Sequence, residues 1–230
     1  MKYLIDDILL SNVIDNFLLE MSFQLVALTR TENVFYDFTL EKNYLSIQAY
    51  NKTDSRVYIN ANDNVLFGAI RDYSGEANQI LVGDSINQLL NDVPDDICSD
   101  LNDSVFPYLS VFFYKKRWLF KTEQQSLPAI TTVFWSENDA LFSCHSIVDF
   151  KLNGGKILYD FNCTPSCYLD RIAAENNLSE TEMSLMMFLF DCKKNNKNES
   201  YFHEELMKKY SNGFSFSPAF VDQAVKYLDY

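Results

Sequence analysis

The sequence predicts an α+β fold, with an N-terminal helix, a long and mainly antiparallel β-sheet, and a helical C-terminal part that packs on or beside the sheet. Three patterns carry this prediction: helical spacing of apolar residues near the start, short alternating runs in the middle, and helical spacing with capping signals at the end. No linker rich in proline, glycine or serine precedes the last part. We therefore expect a helix-plus-sheet domain over residues 1–162 and a helical region over 163–230 on the same core.

The N-terminal helix is predicted by apolar residues that recur on one helix face: Leu10, Val13, Ile14, Phe17, Leu18 and Met21. Residues 23–29 then predict a first strand. Alternation of apolar and polar residues over 34–59, interrupted by polar turn residues, is typical of an antiparallel meander. Further strands are expected at 65–70, where Gly68 would mark a bulge, and at 79–82.

Residues 84–103 interrupt the sheet with an acidic insert, in which Asp84 or Ser85 is expected to cap a short helix. The sheet then resumes in four runs, at residues 105–114, 118–120, 130–135 and 140–150. The turn Asn153-Gly154-Gly155 predicts a hairpin that joins the last of these runs to a strand at 156–161.

Helical signals return after Cys163. Tyr168 and Ile172 mark one helix, and Ser179 with Glu182 forms a capping box at the start of the next. The apolar stripe behind that box consists of Met183, Met186, Met187 and Phe190. Two more helices are expected, one at 201–210 and a last one that starts at Ser217-Pro218.

Composition excludes several classes of protein. An apolar fraction of 47% argues against disorder, and a net charge of −13 disfavours a nucleic-acid-binding face. No glycine-rich phosphate-binding motif occurs. The five cysteines are odd in number, the start lacks the pattern of a secretory signal, and no apolar run is long enough to span a bilayer. We therefore expect a cytoplasmic protein without membrane or nucleic-acid partners and without a cofactor.

Catalytic or metal chemistry has few candidates. A cysteine nucleophile needs a base, and the chain has two histidines, His145 and His203. Cys144 and His145 are adjacent, so on a strand their side chains would point to opposite faces and could not pair. Zinc would need Cys163 and Cys167 plus more distant ligands, because a second closely spaced pair is missing. A carboxylate pair across the predicted hairpin, Asp149 with Asp160, is a minor alternative, and we expect neither a catalytic nor a metal site.

Negative charge is concentrated in the first half of the chain. Residues 1–110 contain 17 acids and 6 bases, and residues 84–103 contain six aspartates and no base. These aspartates are the candidate partner-binding residues: Asp84, Asp92, Asp95, Asp96, Asp100 and Asp103. Tyr73 and Tyr108 lie on either side of them in sequence and are expected to serve as apolar anchors. Such a surface repels nucleic acid and anionic membranes and attracts a basic protein.

The leading hypothesis is a non-enzymatic acidic protein that neutralises a basic protein partner, such as an immunity or inhibitor protein for a toxin, or a counter-defence factor. Two alternatives stay open. One is a hydrolase with a dispersed site built from Cys144, His145 or His203. The other is an adaptor module that associates through its C-terminal helices, whose methionine-rich stripe is adaptable. The sequence does not indicate an oligomeric state.

Overall fold

A computed structural model describes residues 1–30, 38–41, 43–50, 52–61, 63–74, 80–117, 121–211, 214 and 216–228. The chain divides into two compact units. The first unit comprises Met1–Ile8, Ser46–Tyr58 and Val65–Tyr159, and the second comprises Leu9–Leu45, Ile59–Asn64 and Asp160–Tyr230.

Most helices and strands occur in separate runs along the chain, as is typical of an α+β fold. The strands are β1 (Tyr3–Leu4), β2 (Phe38–Glu41), β3 (Tyr44–Tyr50), β4 (Thr53–Asn60), β5 (Val65–Asp72), β6 (Leu81–Val82), β7 (Ser110–Arg117), β8 (Lys121–Ile130), β9 (Thr132–Glu137) and β10 (Ala140–Ser143). The helices are α1 (Leu10–Ala27), α2 (Asn87–Leu90), α3 (Asp95–Asp100), α4 (Ile147–Phe150), α5 (Lys156–Asp160), α6 (Pro165–Asn176), α7 (Glu180–Lys194), α8 (Glu199–Tyr210) and α9 (Pro218–Leu228). The predicted fold class is confirmed.

Among the helices in the described part of the chain, none combines the length and the apolar character that crossing a membrane requires.

Antiparallel strands form the framework of the first unit. Six strands follow one another in the order β1-β10-β9-β5-β4-β3, and a separate three-stranded sheet has the order β6-β8-β7. In β9, Val133, Phe134 and Trp135 are all fully buried, which explains why this strand is an unbroken apolar run rather than an alternating one. The strand predicted at 130–135 combines parts of two strands, because β8 ends at Ile130 and β9 begins at Thr132.

Gly68 is required by close packing rather than by a bulge. Its pairing with Phe134 of β9 lies in a continuous register. A Cβ atom at this position would lie 2.5 Å from the carbonyl oxygen of Arg56 and 2.8 Å from the Phe134 ring. The absence of a side chain therefore lets β4 and β9 approach β5 on both sides.

We expect Gly68→Ala to lower the free energy of unfolding by about 1–3 kcal/mol, because the added methyl group has no space between two strands. Urea denaturation measures this loss. Ser99→Ala, at an exposed position of the same unit, is the control and should change stability by less than about 0.5 kcal/mol. Equal stability of the two variants would contradict the close packing around Gly68.

The second unit contains the predicted N-terminal helix, α1. Leu10, Phe17 and Met21 are buried as expected. The side-chain amide of Asn16, also buried, donates to the carbonyl oxygens of Phe161 and Cys163, each at 2.7 Å. These hydrogen bonds satisfy a polar group that would otherwise destabilise the core.

The strand predicted at 23–29 is wrong, because α1 continues to Ala27. Thirteen of the 18 residues of α1 are buried, and the run from Phe23 to Val26 is buried at four successive positions. A helical segment that is buried on almost every side has no polar stripe, so the second half of α1 does not show the 3.6-residue period that is visible in its first half.

The other helices of the second unit follow the prediction. The capping box is confirmed: the Ser179 hydroxyl accepts from the amide of Glu182, and the Glu182 carboxylate accepts from the amide of Ser179 at 2.8 Å. Arg30 also donates to Glu182, at 2.7 Å. Burial raises the pKa of Glu182, but the hydrogen bonds from Arg30 and Ser179 outweigh it and hold this pKa below its usual value.

The predicted hairpin at Asn153-Gly154-Gly155 is wrong. The strand expected at 140–150 ends at Ser143, and helices α4 and α5 flank the glycines. Gly154 does adopt a positive φ of +96°, and a Cβ there would lie 2.7 Å from Ile70. A left-handed glycine serves equally at a hairpin turn and at a helix end, so the dipeptide alone could not distinguish them.

The strands expected at 156–161 and 105–114 also need correction. The first is helix α5, in which the adjacent residues Ile157 and Leu158 are both buried. The second begins only at Ser110, because helical turns occupy Leu101–Leu109. The predicted strand at 118–120 and the early part of the meander, at 34–37, lie outside the described residues.

Candidate functional site

The acidic segment, residues 84–103, belongs to the first unit and forms successive short helical turns. The residue at the N-cap position is Val82, not Asp84 or Ser85, and the Ser85 hydroxyl accepts a hydrogen bond from the Val82 amide from within the first turn. After Pro94, the chain forms α3 and then a turn of π-helix at Leu101–Val105. Ile97, Leu101 and Val105 are buried at every fourth position, so the opposite side of this run faces solvent.

The solvent side carries a row of carboxylates. Asp96, Asp100 and Asp103 recur at spacings of four and three residues, and we call them the acidic stripe. All six candidate aspartates are exposed. Like charges with helical spacing repel each other by about 0.2–0.5 kcal/mol per pair, so the stripe reduces local stability rather than adding to it.

Most of these carboxylates have no counter-charge. In the part of the chain that the structure describes, Asp92 forms an ion pair with the amino group of Met1, and the other five candidates form none. Acids elsewhere are often paired: Asp15 with Lys194 at 2.6 Å, for example. The acidic stripe thus presents its charge to solvent without local compensation.

The two candidate anchors, Tyr73 and Tyr108, contact charged groups. Tyr73 is 49% exposed and donates its hydroxyl to Asp54 at 2.6 Å. Burial of the phenol and this hydrogen bond to a carboxylate raise the pKa of Tyr73 to about 12. Tyr108 is 38% exposed, and its ring centroid lies 3.3 Å from the guanidinium carbon of Arg56.

Both tyrosines therefore border a buried polar cluster, which we call the arginine cluster: Arg56, Arg71 and Asp54. Their exposed fractions are 1%, 7% and 8%. Arg71 donates to Asp54 at 2.5 Å and to the carbonyl of Leu109 at 3.0 Å. The sequence contained one signal for this cluster, since Arg71 is the single base in residues 57–110. It gave no sign that the arginine is buried.

Cys144 and His145 are close enough for each to shift the pKa of the other, so the argument that their side chains must point to opposite faces is wrong. β10 ends at Ser143, so the alternation of a strand does not apply to these two residues. His145 Nε2 lies 3.0 Å from the carbonyl oxygen of Thr131. A carbonyl only accepts, so Nε2 carries the proton and Nδ1 is the nitrogen with a free lone pair.

The proximity of these two side chains changes the acidity of both groups. Burial raises the pKa of Cys144, but the interactions with His145, together with hydrogen bonds to Val133 and Thr132, outweigh burial and lower this pKa below the usual 9.0. The hydrogen bond with Cys144 raises the pKa of His145 above 6.5, against the opposing effect of burial. Each group thus favours the charged form of the other.

We expect the Cys144 thiolate to form at a lower pH than an ordinary thiol. A lowered pKa means that the thiolate fraction at pH 8 exceeds that of a group with a pKa of 9.0. The absorbance at 240 nm, as the difference between the native protein and Cys144→Ser, gives the titration midpoint. His145→Gln should move this midpoint upward. An unchanged midpoint in His145→Gln would contradict a direct contact.

The other thiols and histidine show no comparable pairing. Burial and the neighbouring Asp191 raise the pKa of Cys192 to about 11. His203 lies on α8, where its Nε2 is 3.4 Å from Oε1 of Glu199. Burial and the neighbouring Cys167 raise the pKa of Cys163. Among the described residues, no group of three or more His, Cys, Asp or Glu side chains is arranged to hold a metal ion.

The carboxylate pair expected at Asp149 and Asp160 loses its basis, because the hairpin that would join these residues does not form. Asp149 is exposed on α4 and accepts a hydrogen bond from the Ser146 hydroxyl at 2.7 Å. Burial raises the pKa of Asp160 at the end of α5.

The methionine-rich stripe of α7 is divided between core and surface. Met186 and Phe190 are buried, and Met183 and Met187 are half-buried. A cavity of about 300 Å³ lies beside α7 and α8, and Met187 and Cys192 are among its lining residues. Only part of the stripe is therefore accessible to another chain.

Comparison with known proteins gives no relative from which a site can be transferred. No protein family, no curated protein and no solved structure matches the chain significantly.

Proposed function

We propose that this chain is a non-enzymatic binding protein that recognises a basic protein through the acidic stripe and its neighbour Asp95. The observation that carries the proposal is the set of exposed carboxylates on one side of a helical run, without ion-pair partners among the described residues. Opposite charge on a partner would relieve the repulsion within the stripe and steer the encounter.

The concrete form of this proposal is an immunity or inhibitor protein that acts in the cytoplasm by covering a basic active site of a toxin, or a counter-defence factor that blocks a basic host protein. Proteins that act on nucleic acids expose basic clefts, because phosphate binding requires lysine and arginine. A row of exposed carboxylates is complementary in charge to such a cleft.

Affinity capture from native lysate tests the proposal. The bait is the native chain, and the comparison bait carries Asp95→Asn, Asp96→Asn, Asp100→Asn and Asp103→Asn. A matched control removes the same charge at exposed acids of the second unit, with Asp170→Asn, Glu175→Gln, Glu180→Gln and Glu204→Gln. We expect a stoichiometric basic protein with the native and control baits, and its loss with the comparison bait. Equal capture by all three baits, or capture of no basic protein, would reject the proposal.

A second candidate function, a thiol-dependent hydrolase, is favoured by the contact between Cys144 and His145. In this function Cys144 is the nucleophile, His145 accepts its proton, and the carbonyl of Thr131 orients the imidazole. Hydrolysis of an activated ester such as p-nitrophenyl acetate tests it. Activity that Cys144→Ser abolishes would support the hydrolase, and equal rates for the native chain and the variant would exclude it.

A further inference from the structure

The cavity beside α7 and α8 lies within the second unit and has a volume of about 300 Å³. This volume is at the lower limit of small-molecule pockets in proteins, which measure roughly 300–1,000 Å³. An apolar cavity of about 150 Å³ is already large enough for benzene. The cavity therefore has room for one aromatic ring and a short polar extension.

One part of the cavity wall is apolar or aromatic and consists of Met187, Phe188, Cys192, Tyr201 and Tyr210. The rings of Phe188 and Tyr210 are buried, with their centroids 5.6 Å apart. Burial raises the pKa of the Cys192 thiol to about 11, so this side chain is neutral at pH 7. Water beside such a surface finds few hydrogen-bond partners, and an apolar group that displaces it gains affinity.

The polar part of the wall carries three charged side chains, Asp191, Lys197 and Lys209. Lys209 is held by Glu205 in an ion pair of 2.8 Å. Asp191 and Lys197 are exposed and form no ion pair, with each other or with any other residue that the structure describes. The cavity thus offers one carboxylate and one ammonium group beside an aromatic surface.

The two parts of the wall together define an occupant. An aromatic ring makes favourable ring–ring contacts with Phe188 and Tyr210 and a sulfur–ring contact with Met187. A ligand with only a carboxylate or only an amine would leave one charge of the wall unpaired and place a like charge near it. An α-amino acid carries both an ammonium group and a carboxylate at neutral pH, so it matches both wall charges at once.

We propose that this cavity is a binding site for a free aromatic α-amino acid. The aromatic ring packs against Phe188 and Tyr210. The ammonium group of the ligand pairs with Asp191, and its carboxylate pairs with Lys197. This site lies in the second unit and does not rest on the functions proposed above, whose residues lie in the first.

Titration of the full chain with L-phenylalanine, followed through the ¹H–¹³C methyl signals of the methionines, tests the site. Met187 reports on the cavity that it lines, and the exposed Met1 of the first unit is the reference. We expect the Met187 signal to shift saturably, with a dissociation constant on the order of 1 mM for a ligand of about twelve non-hydrogen atoms, and the Met1 signal to stay in place. Absence of a saturable shift at Met187 would show that the cavity holds only solvent and would overturn the proposal.

Three analogues of phenylalanine separate the contributions of its groups. 3-Phenylpropionate lacks the ammonium group, phenethylamine lacks the carboxylate, and glycine lacks the ring. Each should bind at least about 10-fold more weakly than phenylalanine, because each leaves one part of the wall without its counterpart. If any of the three binds as tightly as phenylalanine, the assignment to an aromatic amino acid is refuted.

Two variants assign the charged contacts. Asp191→Asn should weaken phenylalanine binding about 10-fold and strengthen binding of 3-phenylpropionate, because it removes a carboxylate that repels this anion. Lys197→Gln should weaken phenylalanine binding to a similar extent and strengthen binding of phenethylamine, whose ammonium group the lysine repels. The controls Asp170→Asn and Lys226→Gln remove exposed charges of the same unit outside the cavity and should leave these affinities unchanged. Unchanged affinities in the two cavity variants, or equal losses in the controls, would overturn the site.

Discussion

Reversal of charge at Asp95, Asp96, Asp100 and Asp103 to lysine is expected to abolish binding of the proposed basic partner. Like charges placed opposite each other at an interface cost several kcal/mol, so the affinity should fall by more than about 100-fold. Since these side chains are exposed, the variant should still fold. The measurement is the dissociation constant of the captured partner at low and high salt.

The controls for this reversal separate charge from folding. Asp95 and Asp96 lie in the first turn of α3, where acids are favoured, so their reversal also costs about 0.3–1 kcal/mol of helix stability each. The matching asparagine variant avoids cationic charge there, and its affinity for the partner should be too low for capture and should change little with salt. If the lysine variant binds the partner as tightly as the native chain, the acidic stripe is a solvated surface and has no role in recognition.

Asp54→Ala is expected to lower the free energy of unfolding by about 3–5 kcal/mol, the largest stability change that we predict. The substitution leaves the Arg71 guanidinium without its carboxylate and the Tyr73 hydroxyl without its acceptor, in a site where both ion-pair partners are largely buried. Denaturation in urea measures the change, with near-ultraviolet circular dichroism as a probe of packing.

A matched control for Asp54→Ala is Asp15→Ala, which removes the partner of Lys194 in an exposed ion pair of the second unit. That control should cost less than about 1 kcal/mol. Replacement of both buried partners, with Asp54→Leu and Arg71→Met together, should recover part of the loss, because no unpaired charge remains. A loss below 1 kcal/mol for Asp54→Ala would mean that Arg71 and Asp54 do not depend on each other.

The success of the sequence prediction varied with the kind of signal. The capping box at Ser179 and Glu182 was predictable because both partners are local and their geometry depends on three residues of backbone. The second half of α1 was not, since burial on nearly every side removes the polar positions that give a helix its period. The glycines at 154 and 155 indicated a turn correctly, but not which elements it joins.

The candidate site likewise combines features that the sequence shows with features that depend on the tertiary structure. The concentration of aspartates in residues 84–103 is visible in the sequence, and their exposure follows from the buried positions of Ile97, Leu101 and Val105. A pairing of Cys144 with His145 was rejected because the sequence placed both residues on a strand, but β10 ends at Ser143. Nothing near Arg56 or Arg71 in the sequence indicates that both side chains are buried.

The sequence by itself determined the α+β class, the C-terminal helices with their caps, and the place of the negative charge, because each depends on neighbours a few residues apart. Only the tertiary structure decided which polar side chains are withdrawn from water. Arg71 meets Asp54 across 17 residues and the carbonyl of Leu109 across 38. Burial of a charge is decided by such distant partners, since a guanidinium leaves water only where the folded chain supplies acceptors for it.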